Sequence, residues 1–489
     1  MQSSIALFLD EGIKNLIRAV EDFARHPERF AGFVKQIGTV TNQLALELIG
    51  ETLTSRDDMI RESAKRLEQW YVVKRDKKQL VTSLGTVRYK KTLFKNRFTG
   101  ERKYLVDEIL GLDPHERMSE DAVERMLREA VQTSYRKAGE ETCVSEEFVS
   151  KQTVKGYVHK LMFPEKKVPC EKKTVDYLYI DADEDHIPLQ FMDKKGDLQV
   201  DERGYKNNCV LGKLVYVYEG IEKEAPKSKR NKLIGRYYFS GVYDGKMNAA
   251  LWEEVETYLA SHYNLEKVKK IYLNADGGNW IKGGKSRISG LVTVLDEFHL
   301  SKYILKMTGH MLGSAGEAAD ELRRLIRKGT KEEFSAYVGE LAAYAVTESG
   351  RKRIMESGGF ILNNWTAARI RLTNRKEVKG CSAEGHVSHV LSARMSSRPM
   401  GWSRKGADKM CRLRAYYLNG GDMLDLVRYQ KHVLPKAAGA EKDCILSVSE
   451  IVHSEKNRNG ELGKYADAMR ATLSISTKEK LYFRSRILV

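Results

Sequence analysis

No apolar run in these 489 residues approaches the roughly 20 that a bilayer span requires. The first hydrophobic patch, Ile5 to Leu9, is broken at once by Asp10 and Glu11, so no membrane span, no secretory signal and no membrane partner are expected. Cysteine is scarce: six residues (Cys143, Cys170, Cys209, Cys381, Cys411 and Cys444) contain no C-x-x-C pair. That spread suits free thiols in a reducing compartment better than a disulfide framework. Internal repeats and long low-complexity tracts are also lacking. Acid is in deficit, with 67 Asp plus Glu against 84 Lys plus Arg and a net charge of +17. A polyanion is therefore the first partner to consider, because clustered Lys and Arg gain affinity by releasing counterions condensed on phosphates. With 42% hydrophobic and 31% charged residues, wholesale disorder, a collagen and a coiled-coil rod are excluded. At roughly 100–200 residues per domain the length predicts several domains, in a folded, basic, cytoplasmic protein.

From Ser3 to Tyr71 apolar residues recur at helical spacing, as in Ile13, Ile17, Val20 and Phe23, which predicts an N-terminal helical region over 1–70. Residues 71–110 change character to a small basic β-rich module: Leu80 to Tyr89 and Thr92 to Phe94 read as strands. Lys90, Lys91, Lys95, Arg97, Arg102 and Lys103 give the module either a DNA-facing surface or a solvated edge. Residues 111–165 read as a helix-turn-helix-like DNA-binding region. An amphipathic helix over Ser119 to Gln132 precedes two short helices joined by a brief turn, the second over Val144 to Val158. That helix fits a major-groove reader through Lys151, Gln152 and Lys155, or simple αα packing. Pro164 and Pro169 with Lys166, Lys167, Lys172 and Lys173 mark a boundary. Strands are then expected over 174–182, 188–193, 214–220 and 237–243, followed by α/β alternation to 302, helices over 303–375, a last core segment over 376–420 and a C-terminal region over 421–489. The fold class this predicts is multidomain α/β: a mixed sheet flanked by helices, with a helical insertion.

Three acidic signals stand out. Tyr177 to His186 is an apolar strand ending in carboxylates, of which Asp181, Asp183 and Asp185 share one face. The segment Lys270 to Trp280 repeats the pattern, with Asp276 followed by two glycines that let the backbone turn and leave space beside the carboxylate. In the third, Gly380 to Met395, a regular helix from Ser382 aligns Glu384 with Val387 and Leu391, a core-facing stripe on which an acid needs a partner. Each also has a plain structural reading: a strand exit, a turn and a helix-dipole contact. Together, two strand-end carboxylates and one from a helix are what two-metal phosphoryl transfer requires. Gly283-Gly284-Lys285-Ser286 is not a P-loop, because the required first glycine falls on Asn279. Zinc at Cys381, His386 and His389 is not expected, since no paired Cys motif accompanies them. The run Arg394, Arg398, Arg404, Lys405, Lys409, Arg412 and Arg414 with Trp402 suits either a DNA backbone with stacking or a solvated face.

The motifs Tyr-Ile-Asp-Ala-Asp-Glu-Asp-His (179–186), Asn-Ala-Asp-Gly-Gly-Asn-Trp (274–280) and Ala-Glu-Gly-His-Val-Ser-His-Val-Leu-Ser-Ala-Arg-Met (383–395) resemble those of bacterial insertion-sequence DDE transposases of the ISLre-two family, long catalogued as an uncharacterised protein family. Asp296-Glu297-Phe298-His299 is similar to the Asp-x-x-His element of mutator-like relatives. The resemblance spans nearly the whole chain. It implies a ribonuclease-H-like catalytic core in two parts (174–302 and 376–420), with Asp183, Asp276 and Glu384 as catalytic acids and Mg²⁺ ligands. Mn²⁺ is a possible substitute, and Asp296 and His299 are secondary. Asp181 competes with Asp183 for the first position. The implied partners are double-stranded DNA, as element terminal inverted repeats and target, and further copies of the chain on that DNA. Nucleoid association in the cytoplasm follows from the same resemblance.

Overall fold

The helical spacing at the start of the chain is realised as α1 (Ile13–Arg25) and α2 (Phe30–Glu62). His26 leaves helical dihedrals and Pro27 begins the next turn, where its missing N–H interrupts no hydrogen-bond ladder. The computed structural model describes residues 4–145, 147–166, 168–190, 208–276, 278–378, 383–398, 400–433 and 452. Most of the expected C-terminal region lies outside them. The chain divides into two units, residues 1–130, 134–154 and 431–489 in one and 131–133 and 155–430 in the other.

In the first unit a three-stranded antiparallel sheet follows the helices: β1 (Trp70–Thr82), β2 (Gly85–Asn96) and β3 (Arg102–Tyr104), with β2 central. The C-terminal half of α2 packs on β2, with Ile60, Val87, Tyr89 and Phe94 in the core between them. Asp57, fully buried, accepts the backbone N–H and the hydroxyl of Thr92 at 2.7 Å each. The expected positive face is smaller than the sequence suggests. Lys91 is buried against Asp107 with its ammonium 3.8 Å from the centre of the Tyr104 ring. Lys103 is paired with Glu101 and Glu108 at 2.9 and 3.1 Å.

The segment expected to be a helix-turn-helix folds as α3 (Glu120–Gln132), α4 (Tyr135–Glu140) and α5 (Lys151–Lys160). The connection over 141–150 is too long for the 3–4-residue turn of that motif. The reason lies in the β1–β2 turn: Val144 N–H donates to the Ser83 carbonyl and Thr86 N–H to the Glu147 carboxylate, both at 2.8 Å. The backbone of Val144 and the side chain of Glu147 are spent on the hairpin rather than on a helix.

The second unit is built on a five-stranded mixed sheet in the order β10-β9-β4-β5-β8. Its strands are β4 (Tyr177–Pro188), β5 (Cys209–Tyr218), β8 (Tyr237–Val242), β9 (Lys270–Ala275) and β10 (Leu291–Leu295), with a separate hairpin of β6 (Gly220–Lys223) and β7 (Asn231–Ile234). β4, β5 and β8 meander antiparallel, while β9 and β10 run parallel to β4. The strands expected over 174–182 and 188–193 are one continuous strand to Pro188, because β5 pairs with it as far as Pro188 opposite Cys209; residues 191–193 lie outside the described residues. The acids therefore sit within the paired strand and not on its exit loop.

Alternation along β4 divides the sheet. Leu178, Ile180 and Ala182 join the apolar core with Leu251, Trp252 and Val255 of α6 (Asn248–His262) and Ile281 of α7 (Asn279–Arg287). The other face carries a ladder of rings, Tyr272, Tyr179, Tyr218 and Tyr216, at centroid distances of 5.9, 5.2 and 5.9 Å. Asp181 and Asp183 belong to this second face. A helical layer follows β10: α8 (Glu297–Thr308), α9 (Ala315–Lys328), α10 (Lys331–Ala343), α11 (Glu348–Asn363) and α12 (Trp365–Thr373), closed around Leu322, Phe334, Ile361 and Trp365. The chain then returns through α13 (Ala383–Val387) and α14 (Arg404–Leu418), which packs on β8. Among the described residues no helix is long and apolar enough to cross a membrane.

Candidate active site

Strand register determines which acids meet. Asp181 is the partner of Tyr216 on β5 and of Asn274 on β9, and the next pair across β4 and β9 is Ala182 with Ala275. One step further, Asp183 is still on β4, and Asp276 is the first residue past the end of the neighbouring parallel strand β9. Because side chains alternate, Asp181, Asn274 and Asp183 share one face of the sheet, and Asp276 leaves β9 beside Asp183.

Asp181 is wholly buried. Its carboxylate accepts the Tyr216 hydroxyl at 2.7 Å, the Tyr218 hydroxyl at 3.2 Å and the Asn274 amide at 2.6 Å. Asn274 in turn accepts Arg371 Nη2 at 2.6 Å, and Arg371 Nε donates to the Leu295 carbonyl at 2.8 Å. This network ties β4, β5, β9, β10 and α12 together beneath the acids. It also separates Asp181 from Asp183: the first is a saturated interior anchor, while the second is only partly buried, with Oδ1 accepting the Glu184 N–H at 2.8 Å.

Burial raises the Asp183 pKa to about 6, with the Asp276 carboxylate adding to the rise and His299 opposing it. Asp276 follows β9 directly, and its Oδ1 accepts the Gly278 N–H at 2.8 Å. This Asx turn leads the chain into α7. A Cβ on Gly278 would lie 3.2 Å from Asp276 Oδ1, so a glycine there keeps the carboxylate uncrowded. Asp296 is tied to the same corner, its N–H donating to the Ala275 carbonyl at 2.9 Å. One Asp296 oxygen caps α8 by accepting the Phe298 N–H at 2.9 Å, and the other lies 3.2 Å from His299 Nδ1. That bond raises the His299 pKa, and the charges of Asp296 and Asp276 act in the same direction. The Asp-x-x-His element is thus a helix cap that also favours the protonated form of an imidazole near both acids.

Glu384 is placed differently from the expected core-facing stripe. It is exposed on α13, whereas Ala383, Val387, Val390, Leu391, Arg394 and Met395 are buried. A π-helical turn over Ser388–Ser392 follows α13 and shifts the register of a regular helix. α13 packs against β4, anchored by His386. Its Nδ1 lies 2.6 Å from the Tyr238 hydroxyl and its ring centre 4.5 Å from that of Tyr216, the same tyrosine that donates to Asp181. Burial lowers the His386 pKa to about 4, helped by Arg236 and His389, so a neutral imidazole holds the helix down.

Asp183 and Asp276 are an oxygen-only pair in which burial penalises one charge, and a hard divalent cation suits such ligands and relieves such a penalty. The pair fits Mg²⁺ in donor type. Among the described residues no group of three His, Cys, Asp or Glu side chains is placed to hold a metal ion, and exposed Glu384 does not join the pair as a third ligand.

The model of the Uncharacterised protein family (UPF0236) matches residues 28–432. This chain belongs to UPF0236. Similar members come from Caldanaerobacter subterraneus subsp. tengcongensis. One, whose name joins eleven locus labels, is 35% identical over 449 residues, covering 92% of this chain and 90% of its own. UPF0236 protein TTE2489 is 36% identical over 429 residues, covering 88% and 87%. Among solved structures, the Drosophila P element transposase strand transfer complex aligns over 67% of this chain and 83% of its own, with 9% identity and a TM-score of 0.20. That likeness is too slight to bear on fold or function.

The basic strip of this UPF0236 chain is partly interior. Arg394 is buried with its guanidinium 4.8 Å from the centre of the Trp402 ring, and Trp402, also buried, donates to the Met395 carbonyl at 2.9 Å. Neither is a surface contact, which corrects the expectation for both. Arg414 is buried as well, donating to the Val390 and His389 carbonyls and so satisfying groups in the π-helical turn. Arg398, Arg404, Lys405, Lys151 and Gln152 are exposed, Lys155 is half-buried, and Arg404 pairs with Asp244. Sequence reasoning missed Asn274, Arg371 and the tyrosines that hold Asp181. Asn274 had a signal, since it lies two residues before Asp276 and hence on the same strand face.

Proposed function

We propose that this chain is a DNA transposase, a metal-dependent phosphoryl transferase that cuts and rejoins the ends of a mobile element. The reading is carried by one observation: Asp183 on β4 lies close enough to Asp276, just past the end of the neighbouring parallel strand β9, to feel its charge, and burial raises the Asp183 pKa to about 6. The meander of β4, β5 and β8 continued by parallel β9 and β10 agrees with the ribonuclease-H-like sheet that the resemblance implies. A relative named by eleven locus labels in one organism agrees with an element that copies itself.

In this reading Asp183 and Asp276 would hold Mg²⁺, and Glu384, exposed on α13 and not grouped with the pair, is the third acid that the resemblance implies; the ion would supply activation of the attacking oxygen and stabilisation of the leaving one. The protein's own work is positioning. The Asp181 network fixes the strand ends, and the Asx turn at Asp276 keeps its second carboxylate oxygen available. Asp296 raises the His299 pKa and so favours a cation beside an anionic phosphodiester. The exposed Arg398, Arg404, Lys405, Lys151 and Gln152, with Lys155, contact the DNA backbone, Arg404 exchanging Asp244 for phosphate. Two element ends call for more than one copy of the chain on the DNA.

The test is cleavage and joining of a labelled DNA carrying the flanking element ends, with Mg²⁺ or EDTA, by wild type, Asp276→Asn and Glu384→Gln. Metal-dependent cutting and joining that both substitutions abolish while DNA binding persists supports the reading. Undiminished cutting by Asp276→Asn refutes the acid assignment, cutting without joining indicates a nuclease, and binding alone indicates a non-catalytic DNA-binding protein.

A further inference from the structure

We infer that the α1–α2 hairpin is a self-association surface whose occupant is the same hairpin of a second copy. This holds whether or not the chain cuts DNA.

The two helices pack along a seam where the Phe23 and Phe33 rings stack at 4.8 Å. At 100° per residue each helix has two flanks beside that seam. In an antiparallel hairpin Asn15, Arg18 and Asp22 of α1 fall on the same side as Lys35, Gln36 and Thr39 of α2, and these residues line one open groove together with Ala19, Gly32 and Val40. The opposite flank carries Ile17, Val20, Phe30 and Val34, which remain 40, 52, 59 and 53% exposed. Four large apolar side chains left exposed on one flank are a feature of interaction sites. The sheet is not their partner, because α2 meets β2 through its C-terminal half, at residues such as Gly50, Thr54 and Asp57.

The pattern on α2 selects the occupant. Ala31, Val34, Gly38, Thr41 and Ala45 recur at alternating three- and four-residue intervals, the repeat of a helix that pairs along a coiled-coil seam. No member is charged, and the Thr41 hydroxyl is turned back onto the Ile37 carbonyl at 2.9 Å, so its methyl is left for packing. The set is nearly symmetric about Gly38. On an antiparallel second copy Ala31 meets Ala45, Val34 meets Thr41, and Gly38 meets itself on the two-fold axis. An isologous interface requires such self-complementarity. A Cβ on Gly38 would have nothing within 4 Å, yet a mid-helix glycine costs up to about 1 kcal/mol relative to alanine. A second helix backbone passing close to that position accounts for it. With Ile17, Val20 and Phe30 flanking the α2 pair, two hairpins make a four-helix bundle.

The measurement is the mass of the full chain by light scattering in high salt, together with cysteine cross-linking. Wild type is expected at twice the chain mass at micromolar concentration. Val34→Glu and Gly38→Leu are expected at the single-chain mass with unchanged circular dichroism, since both positions are solvent-facing. Gly38→Cys is expected to form a covalent dimer on mild oxidation, whereas Gln36→Cys, on the polar flank, behaves as wild type. A monomeric wild type, or a Val34→Glu protein that keeps the doubled mass, overturns the proposal. Cross-linking of Gln36→Cys in place of Gly38→Cys overturns the assigned face.

Discussion

Replacing Asp183 by Asn tests the acidic site without any assumed substrate. In the metal-free chain the Asp183 pKa lies at about 6 against an ordinary 3.8, chiefly because burial penalises the carboxylate. A carboxyl shifted upward on folding stabilises the fold below pH 3.8, and that stabilisation is withdrawn as pH rises through about 6. At 1.36 kcal/mol per unit the penalty carried at neutral pH is at most about 3 kcal/mol. Asn removes the charge and keeps an acceptor for the Glu184 N–H. At ~2–4 °C per kcal/mol for a unit of this size, the variant should melt up to about 6–12 °C higher than wild type at neutral pH. The difference should vanish in acid. Mg²⁺ should raise the wild-type melting temperature at neutral pH and leave Asp183→Asn unmoved. Scanning fluorimetry across pH, with and without Mg²⁺, reads both effects. Equal melting of the two proteins at neutral pH would refute the buried-charge argument.

Removing the anchor should act in the opposite direction. Asp181→Ala strands the Tyr216, Tyr218 and Asn274 donors at about 1–3 kcal/mol each before relaxation, so denaturant unfolding of the variant should shift strongly downward. Arg371→Met leaves the Asn274 and Leu295 oxygens without their guanidinium and should lower the unfolding midpoint by about 2–3 kcal/mol equivalent, read by the same titration. The His299 pKa is raised by its bond to Asp296, so its stabilisation is present below the unfolded value and lost as pH rises through the folded one. NMR titration of the ring should return a value above 6.5 that falls in Asp296→Asn. Under the proposed function, cleavage should decline with rising pH through that same folded value and lose the step in His299→Asn.

The motifs made several things legible. Strand alternation alone put Asp181 and Asp183 on one face, and the Asp-Gly-Gly turn announced a carboxylate at the end of β9. Other expectations failed for stated reasons. Glu384 left its predicted stripe because α13 turns Ala383 and Val387 to the core and Glu384 outward, an orientation set by what the helix packs against rather than by its period. The second helix of the expected DNA reader starts only at Lys151, because Val144 and Glu147 bond the β1–β2 turn. Arg394 and Arg414 looked like surface charge, yet both are interior, one over an indole and the other on carbonyls of the π-helical turn. A cation's partner is set by whatever packs across from it, far away in sequence.

By itself, then, the sequence determined local matters: charge sign, helical and strand periods, the turns at Pro27 and at Asp276, and which acids lie on one strand face. These depend on neighbours within a few residues. Only the tertiary structure decided that β9 lies beside β4 rather than elsewhere in the sheet, that Asp181 is an anchor while Asp183 carries the perturbed proton, and that the basic strip is half core. Each depends on long-range pairing, where burial and hydrogen-bond partners are set by residues 35 to more than 90 positions apart.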